Sequence, residues 1–202
     1  MEEAGDLMSE QSQHIHFENT NRWSTRQLVT MALMCALGAI FMYVQIPLLP
    51  AASFLTYDPS LVPAAVCGFA YGPGAGVAVA AVSIVIHALT TGDWVGGLMN
   101  LVATLGFILP AALVYRRKRD ITGMIVGIVL SVVVTVAACA VANLTIGVWF
   151  WYGSVDVILP LMLPAVVPFN VLKAGLNGVL SIVVMKALSG VMASGNEAKG
   201  RA

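Results

Sequence analysis

The amino-acid sequence predicts an all-α integral membrane protein with six transmembrane helices and both termini in the cytoplasm. The composition supports this fold class, because 59% of the 202 residues are apolar and only 10% are charged. A soluble domain carries about 25% charged residues. The mean hydropathy is +0.89. The apolar residues also form long stretches, and about 20 of them in a helix cross a bilayer.

The apolar stretches predict one membrane domain, residues 23–190, between two polar tails. The first tail, residues 1–22, is acidic and aperiodic, so it is predicted to be disordered, and the second covers residues 191–202. A Pro-rich segment separates the first two predicted helices, and the second helix is the shortest. The six helices are predicted at about residues 24–45, 60–71, 75–89, 94–115, 121–148 and 159–188.

The basic residues give the predicted topology. Nine of the ten lie at or beyond one set of helix ends, which the positive-inside rule assigns to the cytoplasm. The loops at the opposite ends hold Asp58, Asp93 and Asp156 and no basic residue. The formal net charge is zero, and we predict no nucleic-acid partner.

The tenth basic residue, Lys173, lies within the predicted sixth helix. A lysine near the bilayer centre costs at least about 2.5–3.5 kcal/mol, so it needs a partner. One interpretation is a structural lysine that bonds the carbonyls of a broken helix or Asp156. The other is a lysine that lines a polar cavity and binds a ligand there.

Other polar residues in the predicted spans favour a ligand cavity. Asn170, Lys173 and Asn177 are three, four and seven residues apart, so they share one helix face. Asn100 and Asn143 are predicted at a similar depth, in the outer half of the bilayer, and Asn177 lies deeper. A single Asn in a span often bonds a neighbouring helix. Their common depth predicts a shared, outward-opening pocket.

The sequence carries no motif for catalysis or metal binding. The three cysteines lie in apolar runs without disulfide or metal spacing. The segment YGPGAG, residues 71–76, lacks the Lys-Ser/Thr of a phosphate-binding loop and is predicted to be a cytoplasmic turn. We therefore predict no catalytic residue, no metal, no cofactor and no enzymatic activity. Without an ATP site or a carboxylate relay, the chain is expected to capture a substrate rather than to energise transport.

Two segments, YDPSLVPAAVCGFAYGPGAG (57–76) and PFNVLKAGLNG (168–178), resemble the S-components of energy-coupling factor (ECF) vitamin transporters. The resemblance is closest to the riboflavin type and covers about residues 24–190. One departure is Pro59, where the family commonly has Phe. The resemblance implies a substrate-capture subunit that binds riboflavin in an outward-facing membrane pocket. It also implies delivery with a transmembrane coupling subunit and two ATPase subunits, in contact with membrane lipid.

The resemblance assigns roles to individual residues. It implies that Asn170 and Lys173 contact the vitamin and that Asn143 does likewise from the preceding helix. Asn100 and Asn177, from the polar groups above, and Tyr57 and Asp58, from the first segment, complete the predicted substrate site. The loop of residues 46–58 would cap the pocket, and its prolines, Pro47 and Pro50, favour an ordered, extended lid.

The same resemblance implies a partner surface on the first helix. Ala32 and Ala36 match an Ala-x-x-x-Ala element that docks on the coupling subunit. Small residues of this kind let two helices approach closely. The pattern also occurs in ordinary membrane bundles, where it packs helices within one chain.

Two rival interpretations remain open: an S-component for another small molecule, or a protein of a different class, either a carrier or a membrane enzyme. An S-component for a folate, pantothenate or a flavin nucleotide would use Lys173 as a counter-charge. An autonomous small membrane carrier would need a carboxylate within its spans, whereas Asp58, Asp93 and Asp156 are predicted in loops. A membrane enzyme would need a nucleophile with a base, or a metal set, and the sequence offers neither.

Overall fold

The computed structural model describes residues 23–52 and 55–199, and this part of the chain is almost entirely helical. The predicted first tail lies outside the described residues. A short hairpin of two strands, β1 (Ile46–Pro47) and β2 (Thr56–Tyr57), interrupts the helices. The α-helices are α1 (Thr25–Phe41), α2 (Leu61–Tyr71), α3 (Pro73–Thr91), α4 (Trp94–Arg117), α5 (Ile121–Ala142), α6 (Val155–Leu161) and α7 (Val167–Lys199).

Four helical stretches are long and apolar enough to cross a membrane. They are Pro73–Thr91, Trp94–Arg117, Ile121–Tyr152 and Val155–Leu188. The helices α1 and α2 are apolar but shorter, with 17 and 11 residues. The helical class and the order of six apolar segments agree with the sequence, while the number of spans stays a prediction.

Specific residues begin and end these helices. Ser24 and Gln27 form a reciprocal capping box at the start of α1. The Asp93 carboxylate accepts a hydrogen bond from Gly96 N (2.8 Å) at the start of α4. Gly72 joins α2 to α3 with a φ of +98°, a conformation that favours glycine. The predicted turn is therefore present but is confined to Gly72, because Tyr71 ends α2 and Pro73 begins α3, and its cytoplasmic location stays a prediction.

The helix α2 is the centre of the packing. All its residues from Leu61 to Phe69 are buried, and it contacts α1, α3, α4 and α7. It meets α3 backbone to backbone, because a Cβ on Gly76 would lie 2.7 Å from Ala64 O and 2.9 Å from Gly68 Cα. A short helix enclosed by four others needs no polar face.

The first predicted helix is too long at its C-terminal end. It stops at Phe41, and the chain then forms the hairpin, with Ile46 opposite Tyr57 and Pro47 opposite Thr56. The expected lid is thus ordered, but it folds back on itself instead of running as one extended segment. Proline has no backbone N–H to donate, which limits the hairpin to two residues a side.

The last two predicted helices are irregular where they meet. After α5 the chain widens into π-helical turns over Asn143–Tyr152, and a second π-helical segment, Met162–Val166, separates α6 from α7. Around the second segment, Pro160, Pro164 and Pro168 lack N–H donors at intervals of four residues, which disrupts regular α-helical bonding there. The predicted start near residue 159 was too late, and α7 continues through Lys199.

Candidate functional site

A cavity of about 460 Å³ lies between the hairpin, α3, α4, the π-helical end of α5 and α7. Its wall mixes ionisable and amide side chains with aromatic rings, although the surrounding helices are apolar. The polar members of the wall are Gln45, Thr56, Asp58, His87, Asp93, Asn100, Asn143, Asn170 and Lys173, and the aromatic members are Trp151, Tyr152 and Phe169. Five of the seven predicted substrate contacts line this cavity: Asp58, Asn100, Asn143, Asn170 and Lys173.

Lys173 is paired inside the protein. Its Nζ lies 2.7 Å from Asp58 Oδ2 and 3.2 Å from Asn100 Oδ1. The two charged side chains are only 15% and 9% exposed. The partner is therefore Asp58, and the predicted alternative partner, Asp156, was wrong. An ammonium has three N–H donors, so two are used here and one is left for a ligand.

Asp58 is itself fixed from two sides. Its Oδ1 accepts hydrogen bonds from the Ser60 backbone N–H (3.2 Å) and from the Ser60 hydroxyl. Its backbone carbonyl accepts a hydrogen bond from Asn177 Nδ2 at 3.3 Å. The residue is 6% exposed although it lies in a loop between β2 and α2. A loop position in the sequence therefore did not mean exposure to water.

Asn177 and Tyr57 lie outside the cavity wall. Asn177 is one turn beyond Lys173 and donates to Lys173 O (3.0 Å) as well as to Asp58 O. Asn177 thus bonds the backbone of both members of the ion pair and holds them together. Tyr57 is 7% exposed, and its hydroxyl finds no partner among the described residues. Burial raises the pKa of Tyr57, and the Asp58 carboxylate raises it further.

The other two asparagines use their amide nitrogens within their own helices. Asn170 Nδ2 donates to Val166 O and Asn143 Nδ2 donates to Cys139 O, both at 2.8 Å. Both residues are buried, with 7% and 4% exposure. Each amide nitrogen has two N–H donors, so each residue can still offer its second N–H, and Asn170 also its side-chain oxygen, to a ligand. Tyr152 donates to Asn143 Oδ1 from 3.4 Å, which is a weak contact.

Sequence reasoning had only partly identified the aromatic wall. In the sequence, the aromatic run at residues 149–152 is typical of an interfacial belt at the ends of membrane helices. Trp149 and Phe150 are 83% and 59% exposed, as such anchors are, but Trp151 and Tyr152 line the cavity. The wider turns of the π-helix alter which residues share a face, so α-helical periodicity could not separate the two pairs. Gln45 and Asp93 were also missed.

A second hollow, of about 730 Å³, lies along the π-helical segment at residues 144–153. It is the larger of the two, but no ionisable side chain lines it, and Thr145 is its one hydroxyl. Binding sites for small molecules combine apolar walls with a few convergent polar groups. The smaller, polar cavity is therefore the candidate site.

Ala32 and Ala36 lie on the exposed face of α1. The buried residues of α1 are Met31, Gly38 and Ala39, where α1 packs on α2 and α3. The two alanines are therefore not used for packing within the described residues. A small-residue stripe on an outer face leaves room for another helix to approach.

The fold and the cavity define a small helical membrane protein that holds a ligand site between its helices. Residues 26–185 match the family of substrate-specific components of ECF transporters, and the chain belongs to this family. As an S component it is a membrane protein that binds a substrate and associates with an ECF module. The sequence-based family assignment is confirmed, and members of this family are transporter components, not enzymes.

Individual relatives agree with this assignment. The riboflavin transporter RibU of Staphylococcus aureus (strain TCH60) is 25% identical over 176 residues, covering 84% of this chain and 93% of the relative. The riboflavin transporter FmnP of Bacillus subtilis (strain 168) is 25% identical over 173 residues, covering 80% and 91%. A solved structure of the S component of a bacterial ECF transporter superimposes with a TM-score of 0.74 at 25% identity, covering 83% and 97%.

Proposed function

We propose that this protein is the riboflavin-binding S component of an ECF-type importer. The observation that carries the proposal is the cavity, where aromatic walls meet amide and ammonium groups inside an apolar bundle. A flavin has a planar ring that needs apolar and aromatic contacts, and carbonyls and hydroxyls that need hydrogen-bond partners. Phe169, Trp151 and Tyr152 suit the ring, and Lys173 with Asn170 suits its polar edge. Two relatives are riboflavin transporters by name.

The charges in the cavity favour a neutral ligand. The Lys173 ammonium is already paired with Asp58 at 2.7 Å, and Asp93 adds a second carboxylate to the wall. The wall therefore offers no unpaired positive charge to a phosphate or carboxylate. This argues for riboflavin over a flavin nucleotide, a folate or pantothenate, because like charges at short range repel.

The distribution of charged residues between the two sets of helix ends supports the membrane arrangement. We expect six spans with both termini in the cytoplasm, because the basic loop between α4 and α5 and the acidic residues Asp58, Asp93 and Asp156 lie at opposite helix ends. The cavity lies at the acidic end and so would open outward. Delivery would involve a transmembrane coupling subunit, docked on Ala32 and Ala36, and two ATPase subunits.

The test is a ligand comparison on the purified protein in detergent. Its absorption spectrum is recorded for a co-purified flavin, and the flavin-free protein is then titrated with riboflavin and with flavin mononucleotide while flavin fluorescence is followed. We expect riboflavin to bind at least about tenfold more tightly, since the nucleotide brings about 1.5 to 2 negative charges. Folate and pantothenate should not compete.

Three results would contradict the proposal. Absence of riboflavin binding together with binding of another vitamin would assign the site to that vitamin. Tighter binding of the nucleotide would refute the argument from charge. Riboflavin uptake by vesicles that contain this chain but no ATPase subunits would favour an autonomous carrier.

A further inference from the structure

We propose that His87 binds the hydroxylated chain of the flavin and makes the site selective for flavins that carry such a chain. The inference rests on the proposed function. His87 lines the cavity and is 6% exposed. Its Nε2 is buried and has no hydrogen-bond partner in the part of the chain that the structure describes. Buried polar atoms are almost always paired, so a ligand in the cavity is the expected partner.

The imidazole is held in place without use of Nε2. The Tyr43 ring lies 5.0 Å from it, centroid to centroid, at an interplanar angle of 60°. The Tyr43 hydroxyl is in contact with the Thr90 hydroxyl. Thr90 and Thr91 donate to His87 O at 2.9 and 2.8 Å. The end of α1 and the last turn of α3 thus pack around this residue, and none of these contacts uses Nε2.

The position of His87 selects which part of the flavin it contacts. It lies four residues before the end of α3 at Thr91, or about 6 Å along the axis. Asn100, which bonds Lys173, lies six residues after the start of α4 at Trp94, or about 9 Å along the axis. Because Gly92 and Asp93 join these two helix ends, His87 lies nearer the cavity mouth than Lys173.

The groups near the mouth suit hydroxyls. His87 shares the cavity wall with the Asp93 carboxylate and the Gln45 amide. A hydroxyl both donates and accepts, so it can pair with an imidazole, a carboxylate or an amide. The flavin carbonyls only accept, and they suit the ammonium of Lys173. The ring edge is therefore assigned to the deeper end and the hydroxylated chain to the mouth.

The experiment compares two ligands and several variants. Riboflavin and lumiflavin share the ring, but lumiflavin carries a methyl group in place of the hydroxylated chain. His87→Phe keeps a ring against Tyr43 and removes both nitrogens, whereas His87→Gln places an amide near the position of Nε2. Ile86→Phe, at a neighbouring exposed position on α3, controls for the added ring. Each protein is titrated by fluorescence quenching, and its melting temperature is recorded without ligand.

We expect His87→Phe to weaken riboflavin binding about three- to tenfold, as loss of one neutral hydrogen bond does, and to leave lumiflavin binding unchanged. His87→Gln should retain most of the riboflavin affinity. Unchanged riboflavin affinity in His87→Phe, or equal weakening for both ligands, would overturn the inference. If His87→Phe does not fold, the riboflavin and lumiflavin affinities of His87→Asn are compared with those of His87→Gln. The shorter Asn should weaken riboflavin binding relative to Gln and leave lumiflavin binding unchanged. Wild-type protein that binds neither flavin would instead refute the proposed function.

Discussion

Removing the charge of Lys173 is expected to affect stability and binding separately. From the sequence alone, Lys173→Met should weaken binding without harming insertion, because it removes a charge from the membrane. The ion pair changes this expectation, since the substitution leaves Asp58 buried and 9% exposed at its side chain without its counter-charge. Breaking a buried pair by removal of one partner costs about 3–5 kcal/mol. Lys173→Met should therefore lower the melting temperature clearly.

A double variant separates the two effects. Lys173→Met combined with Asp58→Asn removes both charges, and an Asn oxygen can still accept from the Ser60 backbone N–H. We expect the double variant to melt well above either single variant, with a favourable coupling of about 2 kcal/mol or more. The double variant should still bind riboflavin about ten- to a hundredfold more weakly than the wild type, because a hydrogen bond from a charged donor contributes about 1.5–3 kcal/mol.

Thermal unfolding in detergent and riboflavin titration provide the two readouts. Lys118→Met is a matched control, because Lys118 forms an exposed pair with Asp120 at 3.6 Å, and exposed pairs contribute only about 0–1 kcal/mol. A double variant that is as unstable as the sum of the singles would refute the ion pair as an energetic unit. Unchanged affinity in folded Lys173→Met would show that the lysine is only structural.

Three further predictions follow from other parts of the molecule. Asn170→Leu should weaken riboflavin binding, measured by titration, less than Lys173→Met does, because a neutral hydrogen bond contributes about 0.5–1.5 kcal/mol. Gly76→Val should lower the melting temperature by overpacking α2 against α3, whereas Gly74→Ala, with 3.8 Å to its nearest neighbour, should not. Ala32→Leu or Ala36→Leu should abolish uptake by the complete transporter and leave riboflavin binding intact; equal loss of both would place these alanines in internal packing.

Much of the fold could be predicted because the membrane simplifies the problem. Apolar length alone located the helices, and Gly72 with Pro73 marked the turn between α2 and α3. The predicted helix boundaries were wrong near prolines, which lack a backbone N–H donor. Pro160 and Pro164 lie in and just before the second π-helical segment, Met162–Val166, where the apolar run continues unbroken. The first segment, Asn143–Tyr152, contains no proline and is also largely apolar, so apolar length does not reveal the π-helical turns that bring Trp151 and Tyr152 into the cavity wall.

The site was only half predictable, for a reason that Lys173 illustrates. Spacing along one helix connected it to Asn170 and Asn177, but its ionic partner is 115 residues away in the chain. The physical requirement for that partner was nevertheless available, because an ionisable residue in a membrane is almost always paired. Between the predicted helices, at the ends predicted to face outward, the sequence offers only Asp58, Asp93 and Asp156. Choosing among three required the folded positions of the loops, since any carboxylate that a loop can carry to the lysine satisfies the same electrostatic demand.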